Sequence, residues 1–117
     1  MPAYNFRSQF ADDVESGRKR QTIRPRRKRP TRPGDTLYHY TGMRTKMCRK
    51  LGEFLCTKVT PVDILQGAIR LGGRCLGTAL ALEFARADGF EGLEDFYRFF
   101  GEHYGLPVIG RLEVIEW

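Results

Sequence analysis

No apolar run in these 117 residues approaches the roughly 18 needed to cross a bilayer. The N-terminal MPAYNFRSQF lacks the continuous apolar core of a signal peptide. Both absences argue against membrane insertion or export, and the chain is expected to be cytoplasmic, with no membrane partner. Cysteine is scarce as well. Cys48, Cys56 and Cys75 are odd in number, and their spacing matches neither a disulfide framework nor paired Cys-x-x-Cys zinc ligands, so they read as reduced thiols. Histidine is scarcer still. His39 and His103 lie far from each other and from the cysteines, and are expected as a strand residue and a helix-face residue. With no paired acidic motif for a hard cation, neither a metal nor another cofactor is expected.

Acidic residues are missing from one stretch in particular. From Gly17 to Asp35, GRKRQTIRPRRKRPTRPGD carries nine Lys or Arg residues and no acid until its last position, whereas residues 81–117 hold eight acids against Arg86, Arg98 and Arg111. The net charge of +6 is therefore concentrated in one segment. Such a segment suits nucleic-acid phosphates, through contact and counterion release. A charge-only arm does not explain the placing of Lys19, Thr22 and Arg24 within it.

What is present fits one domain, residues 1–117, with 41% hydrophobic content and a basic loop at about 25–33. Phe6, Phe10 and Val14 recur at the spacing of one helical face, and Gly17 is placed to stop that helix. Thr22 and Ile23 begin an extended run that prolines 25, 30 and 33 break into a loop. TLYHYT (36–41) predicts a strand, and residues 53–64 predict the next, bent at Pro61. Residues 65–77, with scattered glycines, predict a flexible connection. In TALALEF, Leu80, Leu82 and Phe84 alternate as on one face of a strand, and Asp88-Gly89 is a turn. Leu93, Phe96, Tyr97, Phe100 and Tyr104 follow helical spacing as far as Gly105, an aromatic stripe expected in the core. VIGRLEVIEW, apolar on both faces, predicts a central strand.

These pieces in this order resemble the ASCH family: Gly17, Lys19 and Thr22-Ile23-Arg24 after an early helix, the Gly34-Asp35 turn, Cys56 in a strand, Asp88-Gly89-Phe90, and the closing helix and strand. The resemblance spans nearly the whole chain. It implies an α+β fold, a small PUA-like mixed β-barrel of about five or six strands flanked by two helices, with a cleft for RNA or a modified base. Within the family it resembles a small bacterial branch that hydrolyses the amide of N4-acetylcytidine. The catalytic set of that branch falls on Lys19, Thr22 and Asp88. Asp88 stands where the branch has Glu, with Glu91 and Glu83 as nearby alternatives.

The chemistry asks for such groups. Amide hydrolysis needs a nucleophile, a base to take its proton and an acid for the departing amine. Thr22 and a neutral Lys19 supply the first two, and a carboxylate either orients a water or passes a proton to the leaving amine; Arg24, expected on the same strand face as Thr22, binds substrate, and either it or a backbone N–H stabilises the oxyanion. The reading is a metal-independent amidohydrolase acting on N4-acetylcytidine and related N4-acylated cytosine compounds, its partner a modified cytidine nucleoside or base. The alternative is an RNA-binding module, or a metal-independent ribonuclease, using the same cleft and holding phosphates with Arg26, Arg27, Lys28 and Arg29.

Overall fold

The computed structural model describes residues 2–117. Its first element is a strand, β1 (Ala3–Phe6), so Phe6 does not open the first helix. The helix, α1 (Ser8–Ser16), buries Phe10, Ala11 and Val14 on one face. It ends at Gly17, whose φ of 84° is the left-handed conformation that glycine adopts without a steric penalty. Next come β2 (Gln21–Pro25) and β3 (Thr36–Thr41), the latter with the bounds expected from TLYHYT.

Residues 53–64 are not one strand. They are divided between β4 (Arg49–Leu55) and β5 (Lys58–Leu65), and the break at Cys56 and Thr57 is where the chain changes sheets. Cys56 N–H donates to the Asp35 carbonyl on one side, and Thr57 N–H to the Glu116 carbonyl on the other. Residues 65–77 are also ordered rather than a loose connection, forming β6 (Ala68–Leu71) and β7 (Arg74–Cys75) through consecutive antiparallel pairings. Their glycines serve the turns.

TALALEF is not a strand. It opens α2 (Thr78–Ala87), in which Ala81, Phe84 and Ala85 are buried at helical spacing while Leu80 remains 57% exposed. The following α3 (Leu93–Tyr104) has the expected bounds, burying Phe96 and Phe100, and Gly105 ends it. Phe96 packs edge-on against Phe84 at 6.1 Å and Phe90 at 5.4 Å between ring centroids, joining the two helices through aromatic contacts. Finally β8 (Val108–Glu116) is the central strand expected, paired antiparallel to both β2 and β5.

Among the described residues the architecture is α+β, with three helices and eight strands in two sheets rather than one closed barrel. One sheet has the order β1-β3-β4, and the other β2-β8-β5-β6-β7. Edge strands β1 and β2 approach each other without a backbone ladder, and arginines bridge them. Arg24 donates to the Asn5 carbonyl at 2.7 Å, and Arg27 to the Ala3 carbonyl, so two side chains satisfy the exposed edge of β1. The candidate site lies at this seam.

Candidate active site

Two turns deliver the central residues. After Gly17, the Lys19 N–H returns to the Asp13 carbonyl at 2.9 Å, and the side chain is left 3% exposed. At the far end of α2, Asp88 donates its N–H to the Phe84 carbonyl and is equally buried. The next residue must be glycine. Gly89 has φ 104°, and a Cβ there would stand 2.8 Å from the Phe10 ring and 3.4 Å from Lys19 Cδ.

Lys19 Nζ donates to the Asp88 backbone carbonyl and lies 3.4 Å from Asp88 Oδ1, which also accepts from Gln21 Nε2 at 3.3 Å. The rings of Phe10 and Phe6 surround the ammonium at 5.1 and 5.9 Å. Desolvation by these surroundings lowers the Lys19 pKa, opposed by Asp88, and it raises that of Asp88, opposed by Lys19. Both shifts favour moving the proton from amine to carboxylate, toward a neutral base beside a carboxylic acid.

Strand alternation places Thr22 and Arg24 together, as expected. Arg24 Nε donates to Thr22 Oγ1 at 2.9 Å, which leaves the threonine proton free for transfer. The guanidinium lies 4.8 Å from the Phe6 ring and 5.5 Å from that of Tyr4. Lys19 makes no hydrogen bond to Thr22 in this arrangement, its donors being turned to Asp88.

All four residues, Lys19, Thr22, Arg24 and Asp88, line one cavity of about 280 Å³. Glu83 and Glu91 are exposed and face elsewhere, so the geometry selects Asp88 among the carboxylates. The cavity also holds residues that sequence reasoning passed over, namely Asn5, Arg7, His103 and Tyr104. His103 and Tyr104 end the aromatic stripe with polar tips, a signal readable in hindsight. Asn5 lies on β1 and Arg7 directly after it, and among the described residues that strand pairs only with β3.

The basic run is divided by the fold. Arg27, Lys28 and Arg29 line an open groove of about 660 Å³ with Tyr38, and Arg27 stacks on Tyr4 at 4.2 Å. Arg26 is not in that groove. Its guanidinium is 3.7 Å from Glu113, and the Arg26 backbone N–H donates to the Arg111 carbonyl. His39 is fully buried on β3 against Phe6, Phe54 and Trp117, with neither ring nitrogen hydrogen-bonded among the described residues. Burial, then the charges of Arg24 and Lys19, depress its pKa to about 3. Among the described residues no three His, Cys, Asp or Glu side chains cluster as metal ligands, and no helix is long and apolar enough to cross a membrane. No protein-family model matches the chain, and searches of curated proteins and of solved structures return no match.

Proposed function

We propose that the protein is a metal-independent amidohydrolase that removes the acyl group from N4-acetylcytidine and related N4-acylated cytosine compounds. The observation that carries this reading is the desolvated Lys19–Asp88 pair opening onto the same cavity as Thr22 and Arg24. The motif resemblance to the ASCH family supports the substrate class. Substrate places its acyl carbon beside Thr22 and its acyl oxygen toward Arg24. As Thr22 Oγ1 attacks, Lys19 accepts its proton, and the oxyanion forms against the guanidinium. The C–N bond then breaks while the carboxyl of Asp88 protonates the departing exocyclic amine, and Lys19 returns its proton to Asp88. Water, with Lys19 again as base, hydrolyses the acyl-threonine to free acid and restores the hydroxyl.

The test is conversion of N4-acetylcytidine to cytidine, followed by base absorbance, in wild type, Lys19→Met and Asp88→Asn. The expected result is turnover in wild type, persisting in a chelator, with losses beyond roughly a hundredfold in both variants. Absence of conversion by folded wild-type protein, or unimpaired turnover in Lys19→Met, overturns the proposal.

A second reading is favoured by the groove of Arg27, Lys28, Arg29 and Tyr38. Cationic side chains beside a half-buried ring suit a single-stranded RNA, with phosphates held by charge and a base by stacking. In that reading the cavity holds a flipped base, and binding without turnover is the expected behaviour.

A further inference from the structure

The charges facing the cavity do not balance. Arg7, Lys19 and Arg24 line it, and among the described residues Asp88 is its only carboxylate. Lys19 takes that carboxylate as its partner. The two hydrogen bonds of Arg24 go to neutral acceptors, the Thr22 hydroxyl and the Asn5 carbonyl. Arg7 donates only to His103 Nε2, at 2.5 Å. Neither arginine has an ion-pair partner among the described residues, a condition shared with surface arginines such as Arg29 and Arg32, but these two face the cavity. Two guanidiniums without counter-charge, one of them half-buried, prepare a cavity for an anion.

Their positions divide the task. Arg24 is inside, on Thr22, where it faces the reacting acyl group in the proposed function. Arg7 is at the exposed rim, between β1 and α1. It is held rather than free, its guanidinium lying 5.2 Å from the Phe99 ring, and His103 stacks on the same ring at 4.4 Å with 19° between planes. A base seated with its exocyclic amide at Lys19 and Thr22 directs its ribose outward to this rim.

Resting on that reading of the cavity, we propose that the substrate carries a phosphate ester, an N4-acylated cytidine nucleotide, with its phosphate held by Arg7 and His103. Phosphate matches the planar fork of arginine, and the rim geometry presents that fork preformed. The unpaired charge of Arg7 then has a partner only when substrate is bound.

The test pairs binding with turnover. Calorimetry measures the affinity of wild-type protein for cytidine, cytidine 5′-monophosphate and a short cytidine-containing RNA. Kinetics compares N4-acetylcytidine with its 5′-monophosphate in wild type, Arg7→Gln and Arg7→Lys. The expected result is about tenfold or greater preference for the monophosphate in both assays, reduced to near parity in Arg7→Gln and partly kept in Arg7→Lys. Equal affinity for cytidine and its monophosphate overturns the inference, and if both acetylated compounds are hydrolysed the amidohydrolase reading survives it. Monophosphate preference without hydrolysis of either compound sinks the amidohydrolase and leaves the phosphate site standing. A gain seen only with RNA places the phosphates in the neighbouring groove and overturns the rim site.

Discussion

Thr22 separates a chemical role from a packing role, because valine matches its shape and lacks only the hydroxyl. Thr22→Val leaves Arg24 Nε without its acceptor, at a cost of about 1–3 kcal/mol, and removes the proposed nucleophile. We expect a folded protein with turnover of N4-acetylcytidine reduced beyond roughly a hundredfold, while Thr22→Ser keeps measurable activity. Equal rates in the valine variant and wild type refute a nucleophilic threonine. His39 makes a different prediction, one of stability against pH. Its folded pKa of about 3 lies below the ordinary 6.5, so its contribution is complete above 6.5 and is lost as pH falls toward 3, because only the unfolded chain takes up the proton. Between pH 7 and pH 5 the loss is about 2 kcal/mol. Urea midpoints at the two pH values should therefore differ less in His39→Phe than in wild type, and an unchanged difference rejects a neutral buried imidazole.

At the scale of elements, the turn between α2 and α3 is the most sensitive joint. It holds Asp88 at the helix end and brings Gly89 against Phe10 and the stem of Lys19. Alanine at position 89 requires an unfavourable backbone conformation and displaces either the ring or the lysine. Gly89→Ala is expected to lose about 1–3 kcal/mol of stability and, by shifting Lys19 relative to Asp88, more than tenfold in turnover. A thermal melt and a rate measurement on one preparation check both. Wild-type values for each show that the turn does not position the pair. The β1–β2 seam is another such joint, since Arg24 and Arg27 satisfy strand carbonyls there that a closed barrel would pair through backbone hydrogen bonds.

Across the whole molecule, the basic run has three destinations. Lys19 and Arg24 go to the cavity, Arg26 goes to Glu113, and Arg27, Lys28 and Arg29 go to the groove, where Arg27 is tied to the Ala3 carbonyl while Lys28 and Arg29 remain exposed, with no hydrogen bond or ion pair from either side chain among the described residues. The net charge of +6 attracts polyanions to the molecule generally, and on the groove Lys28 and Arg29 are free to follow a phosphate backbone. Replacing Lys28 and Arg29 with Ser should lower the slope of log affinity against log salt by about 1.4 for single-stranded RNA, at about 0.7 for each phosphate no longer neutralised. Fluorescence anisotropy at several salt concentrations measures it. An unaltered slope means that RNA does not use this groove.

Local rules were sufficient wherever the deciding interactions lie within a few residues. Gly17 and Gly105 stop helices because their backbones turn there, the aromatic stripe defines α3, TLYHYT defines β3, and the apolar run ending at Trp117 marks a central strand. Thr22 beside Arg24 follows from strand alternation alone. Tertiary structure decided the rest. Phe6 fits a helical face by spacing, but β1 pairs with β3, where Phe6 lies opposite Thr41, and that partner is far along the chain. TALALEF satisfies both the strand and the helix period. Packing of Ala81, Phe84 and Ala85 toward the core selects the helix and leaves Leu80 in solvent. The pairing of Lys19 with Asp88, 69 positions away, and the grouping of Arg7 with His103, 96 away, depend on how helices and sheets meet at the seam. The sequence named the residue types; burial and distance, which exist only in the folded chain, brought them together and set the directions in which the pKa values of Lys19 and Asp88 move.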